Sequence, residues 1–308
     1  MIICVGEILV DIFDDGKNRK TLPGGAPFNV ACNALLYTKD VSFYGAVGND
    51  DNGYMLIETA EEKGFKKLSI KQLSDRYTSR AIVTLNHGER SFRFERDHGA
   101  DYCLDINDIK LSKLTSKDII HIGSLMLSYP RGVRFFNELV KRIRANSKAK
   151  ISFDINYRDD IFSSPERAKK VFISALRQAD ILKFTLEELE LLANESDISK
   201  ALDTLLKDKQ IAVITLGSGG SILYKERKLT TIPTIPIKPV DTTGAGDAFY
   251  SYFLASLVNN PSFINDEELV HTYLTRANVV GALATQSKGA IGVAPTLGEI
   301  DTFLKEHQ

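Results

Sequence analysis

The chain has 308 residues, 43% hydrophobic and 26% charged, which is typical of an ordinary globular protein. Its 39 Lys and Arg and 40 Asp and Glu give a formal charge of −1, which argues against a nucleic-acid or membrane-surface binder because such proteins usually carry a basic excess. Cys4, Cys32 and Cys103 form no CxxC motif, so we expect neither a disulfide framework nor a structural zinc site. We expect the protein to be located in the cytoplasm.

The first predicted element is a strand over residues 2–10, because acids interrupt its apolar run early and no basic leader precedes it. No stretch approaches the ~18 apolar residues that a membrane span needs. Further runs typical of buried strands lie at 118–125, 150–155, 179–184 and 211–217. Amphipathic helices are predicted at 134–145 and 165–178. This alternation predicts an α/β fold whose mostly parallel sheet is covered by helices on both faces and binds ligands at the carboxyl ends of its strands.

Residues 76–96 depart from this pattern. They alternate polar and apolar side chains around a turn at 86–88, with Phe92 and Phe94 on one face, which predicts a β-hairpin. A hairpin inserted in a parallel α/β domain is either a small flap over a ligand or an addition at the edge. The pattern alone favours neither.

The segment VDTTGAGDAF, residues 240–249, precedes an apolar helical run. Gly244 and Gly246 allow backbone N–H groups to converge without a Cβ clash, and the helix start adds unsatisfied donors and its dipole. Together they would form an anion hole for a phosphoryl group. Asp247 falls in the first helical turn, where it could accept a hydroxyl proton; alternatively, it only complements the helix dipole.

Other nucleotide motifs are absent from the sequence. No GxxxxGK[ST] string occurs, so the chain is not a P-loop enzyme. Phe249 and Ile222 occupy the third-glycine positions of the two candidate GxGxxG turns, which disfavours a dinucleotide-binding fold and a dehydrogenase. The five histidines show no spacing typical of metal ligands.

VDTTGAGDAF resembles the second signature of the ribokinase-like (PfkB) carbohydrate kinases. Segments that resemble other blocks of that family follow its order over nearly the whole chain: PGGAPFNVA, YGAVGNDDNG, HIGSL, FDINYR, KFTLEELELL and VITLGSGGS. The resemblance implies one kinase domain over 1–308 that transfers phosphate from ATP to a sugar hydroxyl. It also implies a three-layer ribokinase-like α/β fold with a small β-sheet lid formed from about 12–22 and 76–97.

The resemblance also assigns roles to residues. It implies that Asp247 is the catalytic base and that Gly244, Ala245 and Gly246 form the anion hole. It implies a sugar site formed by Asp11, Gly24, Gly25, Asn29, Phe94 and Arg158. It implies a nucleotide site formed by Thr215, Gly217, Gly220 and Asn278.

The expected cofactor is Mg²⁺ with ATP, and Glu188 would act on this ion through water. Thr185 stands where the family has the Asn of its NxxE motif. A monovalent cation, K⁺, is expected near Asp241, and a homodimer is expected through the lid. Read singly, Arg158 could instead form a surface ion pair with a neighbouring aspartate, and Glu188 could belong to a solvated acidic helix face.

The substrate is expected to be D-fructose, phosphorylated to fructose 6-phosphate, because HIGSL, FDINYR and FRFERDHGAD resemble the fructokinase branch most. A 2-keto-3-deoxygluconate kinase is the nearest alternative, since that branch shares the N-x-R block. Ile155 and Tyr77 stand where fructokinases commonly carry proline. Another sugar or nucleoside kinase, or a non-catalytic sugar-binding regulator on the same fold, stays open on sequence grounds.

Overall fold

The computed structural model describes residues 1–14, 19–86, 89–111 and 113–307. The strands are β1 Ile2–Val5, β2 Leu9–Asp14, β3 Arg19–Gly24, β4 Val41–Gly48, β5 Lys67–Leu73, β6 Arg80–Asn86, β7 Glu89–Glu95, β8 Ile119–Ile122, β9 Lys150–Asp154, β10 Ile181–Thr185, β11 Ile211–Thr215, β12 Ser221–Lys225 and β13 Lys228–Ile232. The helices are α1 Ala26–Ala34, α2 Asp51–Glu61, α3 Pro130–Asn146, α4 Pro165–Leu176, α5 Leu186–Ala193, α6 Ile198–Leu205, α7 Ala245–Asn259, α8 Glu267–Ala284 and α9 Leu297–Glu306.

Nine of the described strands form one large sheet in the order β13-β12-β11-β10-β9-β8-β1-β4-β5. All neighbours from β11 to β5 are parallel, and β12 and β13 join antiparallel at one edge. The helices predicted at 134–145 and 165–178 are confirmed as α3 and α4. The carboxyl ends of β9, β10 and β11 therefore lie side by side along one rim.

The single strand predicted over 2–10 is wrong, because the chain passes from one sheet to the other within it. β1 lies in the large sheet, whereas β2 belongs to a second sheet. The break begins at Gly6, whose φ of 151° is a backbone conformation that favours glycine. Gly6 and Glu7 interrupt the apolar run at this point, but the interruption does not show that the strands on either side of it pair in different sheets.

The second sheet has four described strands in the order β3-β2-β6-β7. β2 pairs antiparallel with β3 and parallel with β6, and β6 pairs antiparallel with β7. The predicted hairpin over 76–96 is confirmed as β6 and β7, although His87 and Gly88 of its turn lie outside the described residues. The first β-strand of the chain thus leads directly into the smaller sheet, which sets that sheet beside the carboxyl rim of the larger one.

Two hydrophobic clusters cover the two faces of the large sheet. In β1, Ile2 and Cys4 join the cluster that contains residues of α1, α7 and α8, whereas Ile3 and Val5 join the cluster that contains residues of α3 to α6. All four side chains are buried, as expected for a parallel sheet that is covered on both faces. Among the residues that the structure describes, none of the helices combines the length and the apolar character required to cross a bilayer.

Candidate active site

A cavity of about 420 Å³ opens between the two sheets and the start of α7. The strands of the large sheet and the segments that follow them, together with α1, α5 and the start of α7, contribute Ala26, Asn29, Asn156, Arg158, Lys183, Thr185, Glu188, Thr242, Thr243, Gly244, Gly246 and Asp247 to its lining. The small sheet and the segments around it contribute Leu9, Asp11, Gly25, Ala81, Phe94 and Leu125. Segments from both ends of the chain therefore meet at the carboxyl rim of the sheet.

The start of α7 provides a group of backbone donors. Gly244 caps the helix with a φ of 75°, and a Cβ at this position would lie 2.5 Å from the Cβ of Ala290. Glycine is therefore required here both by the backbone and by the neighbouring loop. Gly246 and Asp247 lie in the first turn, whose N–H groups have no partner within a helix. These donors and the positive end of the helix dipole make the position attractive for an anion.

Asp241 holds the loop that leads into α7. It is buried, its Oδ1 accepts a hydrogen bond from the Thr243 amide at 2.8 Å, and its Oδ2 accepts one from the Gly289 amide at 3.2 Å. This carboxylate therefore ties the helix entrance to the loop around Ala290. Its expected role beside a monovalent cation stays a prediction.

Asp247 lies beside the backbone donors and faces the cavity. The Asn29 amide nitrogen donates a hydrogen bond to its Oδ2 at 2.8 Å, joining residues 218 positions apart. Desolvation by the surrounding protein raises the pKa of Asp247 to about 6, although the Asn29 hydrogen bond and the Lys183 ammonium oppose this shift. A carboxylate with such a pKa is mostly ionised at neutral pH and is well matched to accept a proton.

Asp11 reaches the cavity from the opposite wall. It lies on β2, and its carboxylate packs directly against Gly24 on the paired strand, where a side chain would overlap it. Burial and the nearby charge of Asp247 raise the pKa of Asp11 to about 7, and Arg158 opposes the shift. Asp11 and Asp247 thus lie on facing walls of the cavity, and the charge of Asp247 disfavours ionisation of Asp11.

Arg158 and Phe94 complete this wall. Arg158 lines the cavity, and its guanidinium donates to the Tyr157 carbonyl at 2.8 Å. Asp160, one of the aspartates considered as a surface partner for Arg158, instead accepts a hydrogen bond from the Phe94 amide at 2.8 Å. The contact fixes the end of β7 against the large sheet and sets Phe94 at the cavity.

Glu188 is buried and lines the cavity, so the alternative in which it belongs to a solvated acidic face does not hold. Its two carboxylate oxygens accept hydrogen bonds at 2.8 Å from the amides of Tyr157 and Thr185. The Thr185 hydroxyl in turn accepts from the Glu188 amide, which forms a capping box at the start of α5. Burial and the charge of Asp154 raise the pKa of Glu188.

The four residues expected at the nucleotide do not line this cavity but lie beyond its edge. Thr215 stands directly beside Thr185 in the sheet. The Asn278 amide on α8 donates to the carbonyls of Ile232 and Pro233, at 3.0 and 3.3 Å. A Cβ on Gly220 would meet the same two residues. Gly217 follows β11 in a short 3₁₀ turn. These residues extend from the cavity toward β13.

Outside the loop that leads into α7, sequence reasoning missed two polar residues of the cavity, Lys183 and Asn156. Lys183 is buried and its ammonium lies 2.8 Å from a carboxylate oxygen of Asp154. A signal for it was present, since lysine is almost never buried without a partner and this one falls inside a run predicted to be buried on both faces. Asn156 has a φ of 41°, and no pattern in the sequence predicts this conformation.

Known proteins match the whole chain. The profile described as "pfkB family carbohydrate kinase" matches residues 1–297. The "Probable fructokinase-3" of Arabidopsis thaliana is 31% identical over 319 aligned positions, which cover 100% of this chain and 92% of that protein.

Solved structures agree with this match and confirm the predicted ribokinase-like fold. A Vibrio cholerae O395 fructokinase bound to fructose, ADP and calcium superposes with a TM-score of 0.87 at 28% identity, covering 98% of each chain. A Xylella fastidiosa fructokinase with bound ATP gives 0.85 at 28% identity, covering 99% of this chain and 98% of that one. The chain therefore belongs to the pfkB family of carbohydrate kinases.

Proposed function

We propose that the protein is an ATP-dependent fructokinase that transfers the γ-phosphate of ATP to D-fructose and forms fructose 6-phosphate. The observation that carries the proposal is the position of Asp247, between the backbone donors of α7 and the facing wall that holds Asp11. Relatives named as fructokinases over the full chain, and fructose in one of the similar solved structures, support the choice of sugar.

In this proposal Asp247 removes the proton of the attacking hydroxyl, and the amides around Gly244, Ala245 and Gly246 stabilise the charge on the transferred phosphoryl group. Phosphoryl transfer depends chiefly on positioning and charge stabilisation. The Asn29 hydrogen bond supports the base by fixing its orientation. A raised pKa of about 6 supports proton acceptance near neutral pH.

The sugar site would use Asp11 and Arg158 for hydroxyl groups and the backbone around Gly24 and Gly25 for close contact. Phe94 would lie on the same side, where apolar Leu9, Ala81 and Leu125 pack together in a small cluster. Buried polar groups that are paired by the correct sugar favour it strongly over analogues that leave them unpaired.

The small sheet would act as a lid, formed from about 12–22 and 76–97 within a single domain over 1–308. Its position over one side of the cavity supports this role, and closure would exclude water, whose attack would waste ATP. We further propose a cytoplasmic homodimer that pairs through the lid. The edge strands β3 and β7 support this arrangement, since edge strands are natural sites of pairing between chains.

The nucleotide would extend along the rim past Thr215, Gly217 and Gly220 toward Asn278. Its phosphates would carry Mg²⁺, which would supply positive charge that offsets the charge developing in the transfer. Because both oxygens of Glu188 already accept amide hydrogen bonds, that carboxylate suits an outer contact through water. Asp241, which carries negative charge beside the α7 loop, suits a nearby K⁺.

The test is an ADP-release assay with fructose, ketodeoxygluconate, ribose, tagatose phosphate and adenosine, ranked by kcat/KM. We expect fructose to rank first, and we expect excess EDTA to stop turnover. A higher kcat/KM with ketodeoxygluconate than with fructose would reject the fructokinase proposal and favour a 2-keto-3-deoxygluconate kinase. Sugar binding without ADP release for any sugar would favour a non-catalytic regulator.

A further inference from the structure

Lys183 occupies an unusual position for a lysine. Its neighbours on β10, Leu182 and Phe184, belong to the hydrophobic cluster under α3 to α6. Because side chains alternate along a strand, Lys183 points to the other face, beneath the first turn of α7. A Cβ on Gly246 would lie only 3.3 Å from the lysine Nζ, so the ammonium is adjacent to the backbone donors of the anion hole.

The ammonium is held in place by a buried ion pair. Asp154, at the end of β9, lies 2.8 Å from Nζ, and the side chains of the pair are 5% and 4% exposed. Burial alone would lower the pKa of Lys183, but Asp154 and Glu188 raise it above its ordinary value, so the group stays charged at neutral pH. Such a pair is a poor means of stabilising a fold, because apolar substitutes are often equally stable or more so.

Without a phosphate, the Lys183 ammonium already opposes the rise in the pKa of Asp247, but its place beneath the start of α7 is best suited to a bound anion. A cation at the positive end of a helix is disfavoured, and Asp154 offsets that cost while the cavity holds no phosphate. The remaining charges that face the cavity are Asp11, Glu188, Asp247 and Arg158. A phosphoryl group at the start of α7 would therefore meet two sources of positive potential at once, the helix amides and the Lys183 ammonium.

We propose that Lys183 is a catalytic residue whose ammonium contacts an oxygen of the transferred phosphoryl group. The assignment rests on the proposed kinase function and adds a residue to it. In the step, the sugar oxygen forms a bond to the γ-phosphorus, the bond from that phosphorus to the β–γ bridging oxygen breaks, and ADP leaves with the electron pair. Asp247 takes the hydroxyl proton, and Lys183 keeps its own protons throughout while it stabilises the charge on the phosphoryl oxygens.

Three variants test the role. Lys183→Met removes the charge and keeps an unbranched side chain that is one atom shorter. The double variant Lys183→Met with Asp154→Asn also removes the buried carboxylate that would otherwise lose its partner, which protects the fold. Lys66→Met is the matched control, because it breaks an ion pair whose side chains are 54% and 57% exposed. We expect both Lys183 variants to lose about 10²–10³-fold in kcat, as loss of a transition-state donor does.

Calorimetry separates catalysis from structure. ADP and Mg²⁺ are titrated into each variant with fructose, with and without tetrafluoroaluminate, which mimics the flat phosphoryl group in transfer. In the unaltered protein and in Lys66→Met, the mimic should tighten ADP binding. In both Lys183 variants that gain should fall at least about tenfold, while ADP alone binds as before and the circular dichroism spectrum is retained.

The outcomes distinguish this proposal from the proposed function. Normal kcat in the double variant, or an unchanged gain from tetrafluoroaluminate, would overturn the role of Lys183 and leave the fructokinase proposal standing. Absence of fructose-dependent ADP release by the unaltered protein would overturn the fructokinase proposal, and the tetrafluoroaluminate titration, repeated with the acceptor that ranks first in the ADP-release assay, would still decide on Lys183. A mimic that gives no gain even in the unaltered protein would overturn the Lys183 role as well.

Discussion

Asp247 is held by the protein rather than by solvent, since Asn29 donates to it across 218 positions of sequence. We predict that Asp247→Asn lowers kcat by about 10²–10⁴-fold, as loss of a positioned base does, with a much smaller change in the KM of either substrate. The asparagine keeps the shape of the side chain, so the melting temperature should not fall. Steady-state kinetics on the purified variant provide the measurement. A kcat near that of the unaltered protein would reject the role as base.

The raised pKa values of Asp247 and Asp11 predict that activity depends on pH. Asp247 has a pKa of about 6 and Asp11 one of about 7, so kcat/KM should fall as the pH decreases through this interval and the base becomes protonated. The Asn29 hydrogen bond stabilises the ionised form and lowers the pKa of Asp247. Asn29→Ala should therefore move the acid limb of the profile to higher pH.

A full profile between pH 5 and pH 9 tests this shift, with Asn146→Ala as a control on an exposed amide at the end of α3. The limb of the control should coincide with that of the unaltered protein. If the limb of Asn29→Ala also coincides with it, the hydrogen bond does not govern the ionisation of Asp247.

At the scale of single elements, the shape of the backbone at the start of α7 can be tested by substitution. Gly244 and Gly64 share a φ of 75°, and a Cβ on Gly64 would meet nothing within 4 Å, whereas one on Gly244 would meet Ala290. Both Gly64→Ala and Gly244→Ala should lose about 1–2 kcal/mol of stability from the left-handed backbone alone. Only Gly244→Ala should also displace the anion hole and lower kcat.

Urea unfolding and steady-state kinetics on the two variants give the comparison. The stability loss of Gly244→Ala should exceed that of Gly64→Ala, because the contact with Ala290 adds to the backbone cost. Equal kcat values in the two variants would contradict a role for the shape of the α7 entrance.

The elements show how far sequence reasoning reaches. The periodic helices over 134–145 and 165–178 were predictable because their apolar spacing is local. The division of 2–10 between two sheets was not, because Gly6 and Glu7 interrupt the run but do not show that β1 and β2 pair with strands of different sheets.

At the candidate site, sequence reasoning failed at the partners of individual side chains. Glu188 looked like part of a solvated acidic face, yet the capping box with Thr185 and the Tyr157 amide bury it. Lys183 carried a readable signal, a charged residue inside a run predicted to be buried, but its partner Asp154 lies on another strand. The motif positions could be read in sequence, whereas the electrostatic partners of each side chain depend on which strands become neighbours.

At the scale of the whole molecule, several acids whose pKa values are raised lie where the two sheets meet. Glu7, in the connection between β1 and β2, is fully buried. Its burial, together with the charge of Asp101, raises its pKa to about 7 even though Arg96 opposes the shift. With Asp11 at about 7 and Asp247 at about 6, the folded protein holds protons that the unfolded chain releases at lower pH. Keeping these groups ionised in the folded protein therefore lowers its free energy of unfolding at neutral pH.

The sign of the resulting pH dependence follows from linkage. A carboxyl group whose pKa is raised on folding contributes stability below its unfolded pKa and loses it as the pH rises through the folded value. His121 acts in the opposite direction, since burial lowers its pKa to about 4 and its neutral form favours the folded state only at higher pH. The acids with raised pKa values outweigh the one histidine, so the free energy of unfolding should decrease from about pH 5 to about pH 7.

Glu7→Gln isolates one of these groups. The glutamine carries no charge to bury, so the variant should be more stable than the unaltered protein at pH 8, by up to about 3 kcal/mol for a shift of this size. The difference should shrink toward pH 5, where Glu7 is protonated in the folded state. Urea unfolding at pH 5, 6, 7 and 8 provides the measurement, with Glu58→Gln on the exposed face of α2 as the control. A variant that is less stable by the same amount at every pH would mean that Glu7 is ionised in the folded protein and held by Arg96, so the acids at the junction of the sheets would not set the stability profile.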